Sequence, residues 1–233
     1  MINYIIGLLC LILGSIQDIK KREVEDYIWL AMVGFGFLYH LFLTLKFGNI
    51  SFLILFFESL FISFILGYFM FLLGSGGADG KALIGIGALV PSMKMPIYSS
   101  IFKVLSLLNF PTFPILVFIN SLFLIIFYPI VIFLRNLRRG KPRNLKELLL
   151  MFVAEKMRYE EIKKEKRIIL GKDEEVEIFK HGEEALNYNG YKDDDLLWAS
   201  PAIPFIFIIL LSYILTPYMG DIIIAKLLEF LGI

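Results

Sequence analysis

Long apolar runs separated by short polar segments constrain this chain more than any other feature of its sequence. Of its 233 residues, 58% are hydrophobic, and the mean hydropathy is +0.75. A bilayer core about 30 Å thick is crossed by about 20 helical residues, and a chain in lipid must satisfy its own backbone hydrogen bonds. The sequence therefore predicts an all-α integral membrane protein whose first partner is the lipid bilayer.

Six apolar runs predict a bundle of six transmembrane helices. The first run is short, so a full crossing carries Gln17 and Asp18 to the membrane edge. The fourth is shorter still, because Pro91 ends it and a useful length is reached only if the helix begins at Asp79. We expect spans at 2–16, 27–45, 50–73, 79–90, 113–134 and 199–219, an interfacial stretch at 97–109 and an external amphipathic tail at 221–233.

Charged residues concentrate in one segment, residues 135–198. Both signs are nearly balanced there, which is typical of a solvated surface. We expect a small α+β domain inserted between spans five and six, with a helix over 145–162 and a hairpin formed by 167–170 and 176–179. The chain then divides into transmembrane helices one to five (1–134), the charged domain (135–198), and the sixth helix with its tail (199–233).

The distribution of Lys and Arg predicts the orientation, because these residues are retained on the cytoplasmic side. Basic clusters follow the first span at 20–22 and the fifth span at 135–146, whereas the opposite loops offer only Lys46, Lys94 and Lys103. Both termini are therefore expected outside. The loops that carry Asp18 and Asp79, and the charged domain, are expected to face the cytoplasm.

Composition excludes several classes of site and partner. A formal net charge of +1 argues against a nucleic-acid partner, because duplex binding depends on clustered basic charge. The single Cys10 excludes a disulfide within the chain and a Cys-cluster zinc site. His40 lies in an apolar run and His181 in the charged segment, so both are expected to be structural or solvated. We expect no metal site and no cofactor, and the sequence does not indicate an oligomeric state.

Three acids lie inside or at the edge of predicted spans: Asp18, Glu58 and Asp79. Each costs several kcal/mol in the membrane and needs a reason to be there. We expect Glu58 to be a neutral, hydrogen-bonding side chain between helices. Asp18 and Asp79 lie at the same predicted depth, where two carboxylates can share one proton. They form a candidate aspartyl protease dyad. The alternative for Asp18 is a helix-end residue beside Lys20 and Lys21, and the alternative for Asp79 is an acidic N-cap of the fourth span.

The segments around the two aspartates resemble the catalytic motifs of intramembrane aspartyl proteases with a GxGD motif. Residues 76–83 (GGADGKAL) are similar to the second motif and residues 18–24 (DIKKREV) to the first. Ala78 replaces the usual second glycine. Residues 201–205 are similar to the Pro-rich start of a late span in that family. The chain has no Cys-rich N-terminal region and inserts its charged segment late, which fits the archaeal preflagellin peptidase branch better than bacterial prepilin peptidases.

The resemblance implies that Asp18 and Asp79 are catalytic and that the enzyme removes leader peptides from preflagellin precursors at the cytoplasmic membrane face, before filament assembly. It also implies that the motif backbone at Gly76, Gly77, Ala78 and Gly80 lies beside the substrate. A small secondary transporter or ion-conducting protein is the alternative. In that protein the intramembrane acids would form a cation or proton path.

Overall fold

The structure is a computed structural model that describes residues 1–21, 23–72, 77–164, 167–172, 190–200 and 204–232. It separates into two compact units, the first comprising Met1–Leu124 with Pro204–Ile233 and the second Ile125–Ile203. In chain order the elements are α1 (Ile2–Lys21), α2 (Asp26–Phe47), α3 (Ser51–Leu72), α4 (Gly77–Leu89), α5 (Ser100–Leu107), α6 (Phe113–Ile125), α7 (Phe127–Arg139), α8 (Leu145–Val153), β1 (Glu155–Arg158), α9 (Tyr159–Lys164), β2 (Ile168–Gly171), β3 (Leu196–Ser200), α10 (Phe205–Met219) and α11 (Ile222–Leu231).

Several helices are long and apolar enough to cross a membrane. Within the described part of the chain, four segments meet this condition, and α10 with α11, bent by 75°, forms a possible fifth. The multi-pass character predicted from the sequence is therefore confirmed. The four segments are Ile2–Lys21, Asp26–Phe47, Ser51–Leu72 and Phe113–Arg139. The interfacial stretch expected at 97–109 contains α5, in which Phe102 is buried.

The short helix α4 lies at the centre of the first unit. Helices α1, α2, α3 and α10 all contact it, and nearly every residue from Asp79 to Leu89 is buried. The helix ends at Leu89 because Pro91 restricts the residue before it and cannot donate a backbone hydrogen bond. A short, polar-started fourth helix was predicted, and its observed start, Gly77, is two residues earlier than expected.

Small residues let the backbones of α2 and α3 approach α4 closely. A Cβ added to Gly36 would lie 2.3 Å from the carbonyl oxygen of Ala88, and one added to Gly80 would lie 2.8 Å from that of Gly67. Further along α3, the hydroxyl of Ser59 donates to the carbonyl oxygen of Gly87 at 2.7 Å. This type of contact drives helix association in lipid, where burial of apolar side chains contributes little.

The second unit contains a small antiparallel sheet with the strand order β1-β3-β2. The central strand β3 pairs with β1 at Glu155↔Ala199 and with β2 at Ile168↔Ser200. A sixth span starting at residue 199 is therefore wrong: Ala199 is a buried strand residue, and α10 begins at Phe205. For the expected hairpin, 168–171 is a strand that pairs with β3, and 176–179 lies outside the described residues.

The single helix expected over 145–162 is also wrong, because it is interrupted by strand β1. Helix α8 ends at Val153, and Ala154 is extended with φ −145° and ψ 159°. The side-chain amide of Asn136, on α7, donates to the carbonyl oxygens of Met151 at 2.9 Å and Ala154 at 2.7 Å. These bonds satisfy carbonyls that end the helix, so a residue distant in sequence sets where α8 stops.

The corner between α10 and α11 is held by a buried carboxylate that sequence analysis did not single out. Asp221 is fully buried and accepts hydrogen bonds from the backbone N–H of Tyr98 at 2.6 Å, from the backbone N–H of Ser99 at 3.0 Å and from the Ser99 hydroxyl. Beside it, Gly220 adopts φ +57° against the backbone of Pro96. One acid thus fastens the α10–α11 corner to the start of α5.

Replacement of Asp221 by Ala is expected to destabilise the protein by about 3 kcal/mol or more, because two buried N–H groups and one hydroxyl lose their acceptor. The melting temperature in detergent should fall accordingly. Glu229→Ala is the matched control, since that acid pairs with Lys226 on the exposed face of α11 and its loss should change the melting temperature little. Equal melting temperatures for the two variants would contradict the assigned role of Asp221.

Candidate active site

Asp18 lies in the last turn of α1, and its side chain is half-buried. The end of this helix is fastened to the start of α2. The carbonyl oxygen of the Gln17 side chain accepts the backbone N–H of Glu25 at 3.0 Å, and its amide donates to the Tyr27 hydroxyl at 3.3 Å. One turn earlier, Gly14 lies against the Trp29 ring. These contacts fix the position of the helix end that carries Asp18.

Asp79 lies in the first turn of α4 and is only 9% exposed. A carboxylate in this position is favoured by the positive end of the helix dipole. Two residues later, the Lys81 ammonium lies 2.6 Å from Oδ1 of Asp26, the first residue of α2. The start of α4 is thus tied to the start of α2, the same helix end to which Gln17 is bonded.

The two aspartates lie at the same end of the helix bundle. At the opposite end, the Asn3 side chain donates to the carbonyl oxygen of Leu89 at 2.9 Å, and Gly7 lies beside the Leu89 side chain. Helices α1 and α4 therefore run in opposite directions. At 1.5 Å per residue, Asp18 is about 16 Å along α1 from Gly7, and Asp79 is about 15 Å along α4 from Leu89. Both carboxyl groups therefore lie at the end of the bundle opposite the contact between Asn3 and Leu89.

The motif residues around Asp79 differ in accessibility. Gly76 lies outside the described residues. Gly77 is exposed and a Cβ added there would meet no atom of the described residues within 4 Å, while Ala78 is half-buried. Gly80 is buried with its backbone against Gly67. Gly80 therefore has a packing role, and the open side of the motif is at Gly77.

The third acid lies apart from the pair. Glu58 is exposed on α3, where it lines a cavity of about 430 Å³ with Asn49 and Asn109. It precedes Gly67, the neighbour of Gly80, by nine residues, which corresponds to about 13 Å along the helix. The exposed Glu58 is thus not placed to join Asp18 and Asp79.

The histidines do not contribute to this site in the described structure. His40 is buried, and its Nδ1 lies 2.8 Å from the carbonyl oxygen of Gly36, one turn earlier on α2. His181 lies outside the described residues. Among the residues that the structure does describe, no three His, Cys, Asp or Glu side chains form a group suited to a metal ion. The ends of α1 and α4 thus contribute two carboxyl groups, those of Asp18 and Asp79.

Sequence reasoning missed the residues that hold the two helix ends in place. Gln17 was noted only as lying at the membrane edge, and no structural role was predicted for Asp26. The available signal for Gln17 was its position, because it is a polar residue directly before an aspartate at the end of an apolar run. The Lys81–Asp26 pair joins residues 55 positions apart, so no local pattern indicated it.

The sequence of this chain is similar to those of known proteins. The family model described as type IV leader peptidase family matches residues 5–130. A preflagellin peptidase of Methanocaldococcus jannaschii is 43% identical over 234 residues, covering all of both chains. The preflagellin peptidase of Methanococcus maripaludis is 45% identical over 231 residues, which are 99% of this chain and 100% of that one. That of Methanococcus voltae is also 45% identical, over 98% of this chain and 99% of its own.

These matches confirm the resemblance seen around Asp18 and Asp79. The family model spans both aspartates, and the relatives align along the full chain. The chain belongs to the type IV leader peptidase family.

Proposed function

We propose that this protein is a membrane-embedded aspartyl endopeptidase that removes the leader peptide from preflagellin precursors, with Asp18 and Asp79 as its catalytic pair. The observation that carries the proposal is the placement of both carboxylates at one end of the antiparallel helices α1 and α4. The names of full-length relatives at 43–45% identity support the substrate class.

The reaction needs one carboxylate and one carboxylic acid. The ionised aspartate takes a proton from a water molecule as the water oxygen attacks the scissile carbonyl carbon, and the protonated partner donates its proton to the carbonyl oxygen. The resulting gem-diol collapses, the C–N bond breaks, and the leaving nitrogen receives a proton from the first aspartate. As the gem-diol collapses, the partner that donated its proton recovers one from a gem-diol hydroxyl, so both carboxyl groups return to their starting protonation states and no other group is required.

The structure of α4 fits this chemistry in two respects. The helix is short, and Asp79 lies in its first turn, so the carboxyl group is at one end of the helix rather than at its middle. On its open side, Gly77 presents backbone without a side chain, where an extended peptide has room to approach. Asp26 pairs with Lys81 of this helix, Glu23 and Glu25 precede Asp26 in the chain, and these acids would attract a leader peptide with basic residues.

For the membrane topology we propose six crossings, with α4 as a short fourth span and α10 with α11 completing the sixth segment. Residues 135–198, with the ends carrying Asp18 and Asp79, are assigned to the cytoplasm, and both termini to the outside. Lys20 and Lys21 at the end of α1, and Arg138 and Arg139 at the end of α7, support this orientation.

Reporter fusions test this topology. Fusions after Glu25, Gly80 and Gly140 are expected to score as cytoplasmic, and fusions after Gly48 and at the C-terminus as external, because Lys and Arg are retained inside. A pair of opposite results for Glu25 and Gly80 would contradict the topology and, with it, the shared site.

A cleavage assay tests the proposed activity. Purified protein in detergent, mixed with a preflagellin, is expected to give a shortened product with a single new N-terminus, measured by mass spectrometry. An unrelated membrane protein prepared in the same way serves as the control for contaminating proteases. A preflagellin of unchanged mass after prolonged incubation with folded protein would contradict the proposed function.

A further inference from the structure

Whereas Asp18 and Asp79 belong to the first unit, the second unit contains a basic pocket. It is a cavity of about 220 Å³ lined by α7, the loop that follows it, α8 and the sheet. Four cationic side chains and one carboxylate belong to its lining: Arg139, Lys141, Arg143, Lys156 and Glu147. We propose that this basic pocket binds the phosphate headgroup of an anionic membrane lipid.

Cations outnumber carboxylates four to one in the lining of the basic pocket, and the Arg139 guanidinium also lies 4.0 Å from Oε1 of Glu155, outside that lining. The one lining carboxylate, Glu147, is engaged at the start of α8, where its Oε2 accepts the backbone N–H of Arg143 at 2.7 Å. Neither Lys141 nor Arg143 forms a side-chain ion pair with a described residue. Clustered cations attract an anion, and Arg and Lys bind phosphate through charge-assisted hydrogen bonds.

The floor of the pocket is rigid and partly apolar. Trp198 is buried in the central strand, and the Lys156 ammonium lies 5.8 Å from the centre of its ring. Asn136 also lines the pocket, with its amide bonded to two carbonyl oxygens at the end of α8. Lys141 and Arg143, on the loop between α7 and α8, thus line a pocket whose other lining side chains belong to helix and strand residues.

The position of the basic pocket favours a lipid over a soluble ligand. The pocket begins at Arg139, the last residue of the apolar segment Phe113–Arg139, where a membrane-spanning helix reaches the headgroup layer. On α8, beside the pocket, Leu145 and Leu149 are 71% and 56% exposed at an i, i+4 spacing. Exposed leucines next to cations are typical of a helix that lies on a membrane surface.

Lipid retention by the full-length protein tests the proposal. Detergent-solubilised protein is mixed with equal amounts of phosphatidylglycerol and phosphatidylcholine, and the bound lipid is identified by native mass spectrometry. The wild type is expected to retain phosphatidylglycerol preferentially. The double variant Lys141→Gln/Arg143→Gln is expected to bind it about 30-fold more weakly, since each basic residue near an anionic lipid contributes about fivefold.

The matched control is Lys163→Gln/Lys164→Gln, which removes the same charge from α9, outside the pocket. It is expected to keep the wild-type preference, and an equal loss in both double variants would overturn the proposal in favour of general surface charge. Binding of radiolabelled inorganic phosphate, without a preference for phosphatidylglycerol, would assign the pocket to a soluble ion and overturn the lipid. Unchanged melting temperatures establish that each variant is folded.

Discussion

Replacing either Asp18 or Asp79 by Asn is expected to lower preflagellin cleavage by about a thousandfold or more. An amide can neither accept the proton of the attacking water nor donate one to the leaving nitrogen, and acid–base groups contribute about 10²- to 10⁴-fold each. Glu at either position should also fail largely, because the added methylene shifts the carboxylate away from the water. The measurement is the initial rate of product formation with each purified variant.

Glu58→Gln is the matched control for these substitutions. It removes a third acid from the same helix bundle. Glu58 is exposed on α3 and lies about 13 Å along that helix from Gly67, the neighbour of Gly80. Its cleavage rate should remain close to that of the wild type. Near-normal activity in Asp18→Asn or Asp79→Asn, in a protein that inserts and folds, would refute the catalytic assignment.

Gly80→Ala is expected to have the second largest effect, on both stability and activity. Its new Cβ would lie 2.8 Å from the carbonyl oxygen of Gly67 and 3.1 Å from the Gly67 Cα, so the α3 or α4 backbone must move. Backbone atoms cannot rotate away as a side chain does, and we expect a loss of about 3 kcal/mol. The melting temperature should fall by about 5 °C or more. Cleavage should also fall, because Asp79 is the adjacent residue.

Gly34→Ala is the control for the cost of placing Ala at a glycine of a membrane helix. No atom lies within 4 Å of a Cβ added there, and Gly34 is exposed on α2. Both its melting temperature and its cleavage rate should match the wild type. Gly77→Ala, also in open space, should leave the melting temperature unchanged. A melting temperature for Gly80→Ala equal to that of Gly34→Ala would contradict the close packing of α3 on α4.

Features that depend on local sequence were predicted well. The first three spans and the start of the fifth at Phe113 follow from apolar runs of membrane length, since a bilayer imposes one length on every span. The short α4 follows from Pro91 at one end and Asp79 at the other. The catalytic pairing of Asp18 with Asp79, which came from their context at helix ends and from the family resemblance, stays a prediction.

Features that depend on distant contacts could not be predicted. The periodicity of residues 145–162 is helical, yet Asn136 caps α8 from another helix, and Glu155 is drawn into a buried ion pair with Arg167 at 2.5 Å. The apolar residues of β3 resemble the beginning of a span, because the centre of a sheet and a membrane both demand apolar side chains. Nothing in the sequence near Asp221 shows that its acceptor oxygens meet Tyr98 and Ser99.

The glycines of the motif around Asp79 differ in their structural roles. From sequence, the glycines around Asp79 were interpreted as backbone left open for a substrate. In the structure Gly77 is open, but Gly80 is covered by Gly67, whose own lack of a side chain completes the contact. Because the partner glycine, Gly67, lies on a different helix, the packing role of Gly80 could not be predicted from the motif.

Binding of a transition-state analogue tests the central claim, that Asp18 and Asp79 act as one site, most directly. The probe is a peptide spanning the preflagellin leader junction in which the scissile amide is replaced by a hydroxyethylene group, whose hydroxyl takes the place of the gem-diol. Affinity is measured for the wild type, for each Asn variant and for the double variant, with the unmodified leader peptide as the control for ordinary substrate contacts.

The account predicts that wild type binds the analogue far more tightly than the leader peptide, and that either single substitution removes this advantage. The double variant should then bind no more weakly than the single variants, because groups that act as a unit are non-additive. An advantage lost in one single variant and fully retained in the other would contradict the shared site.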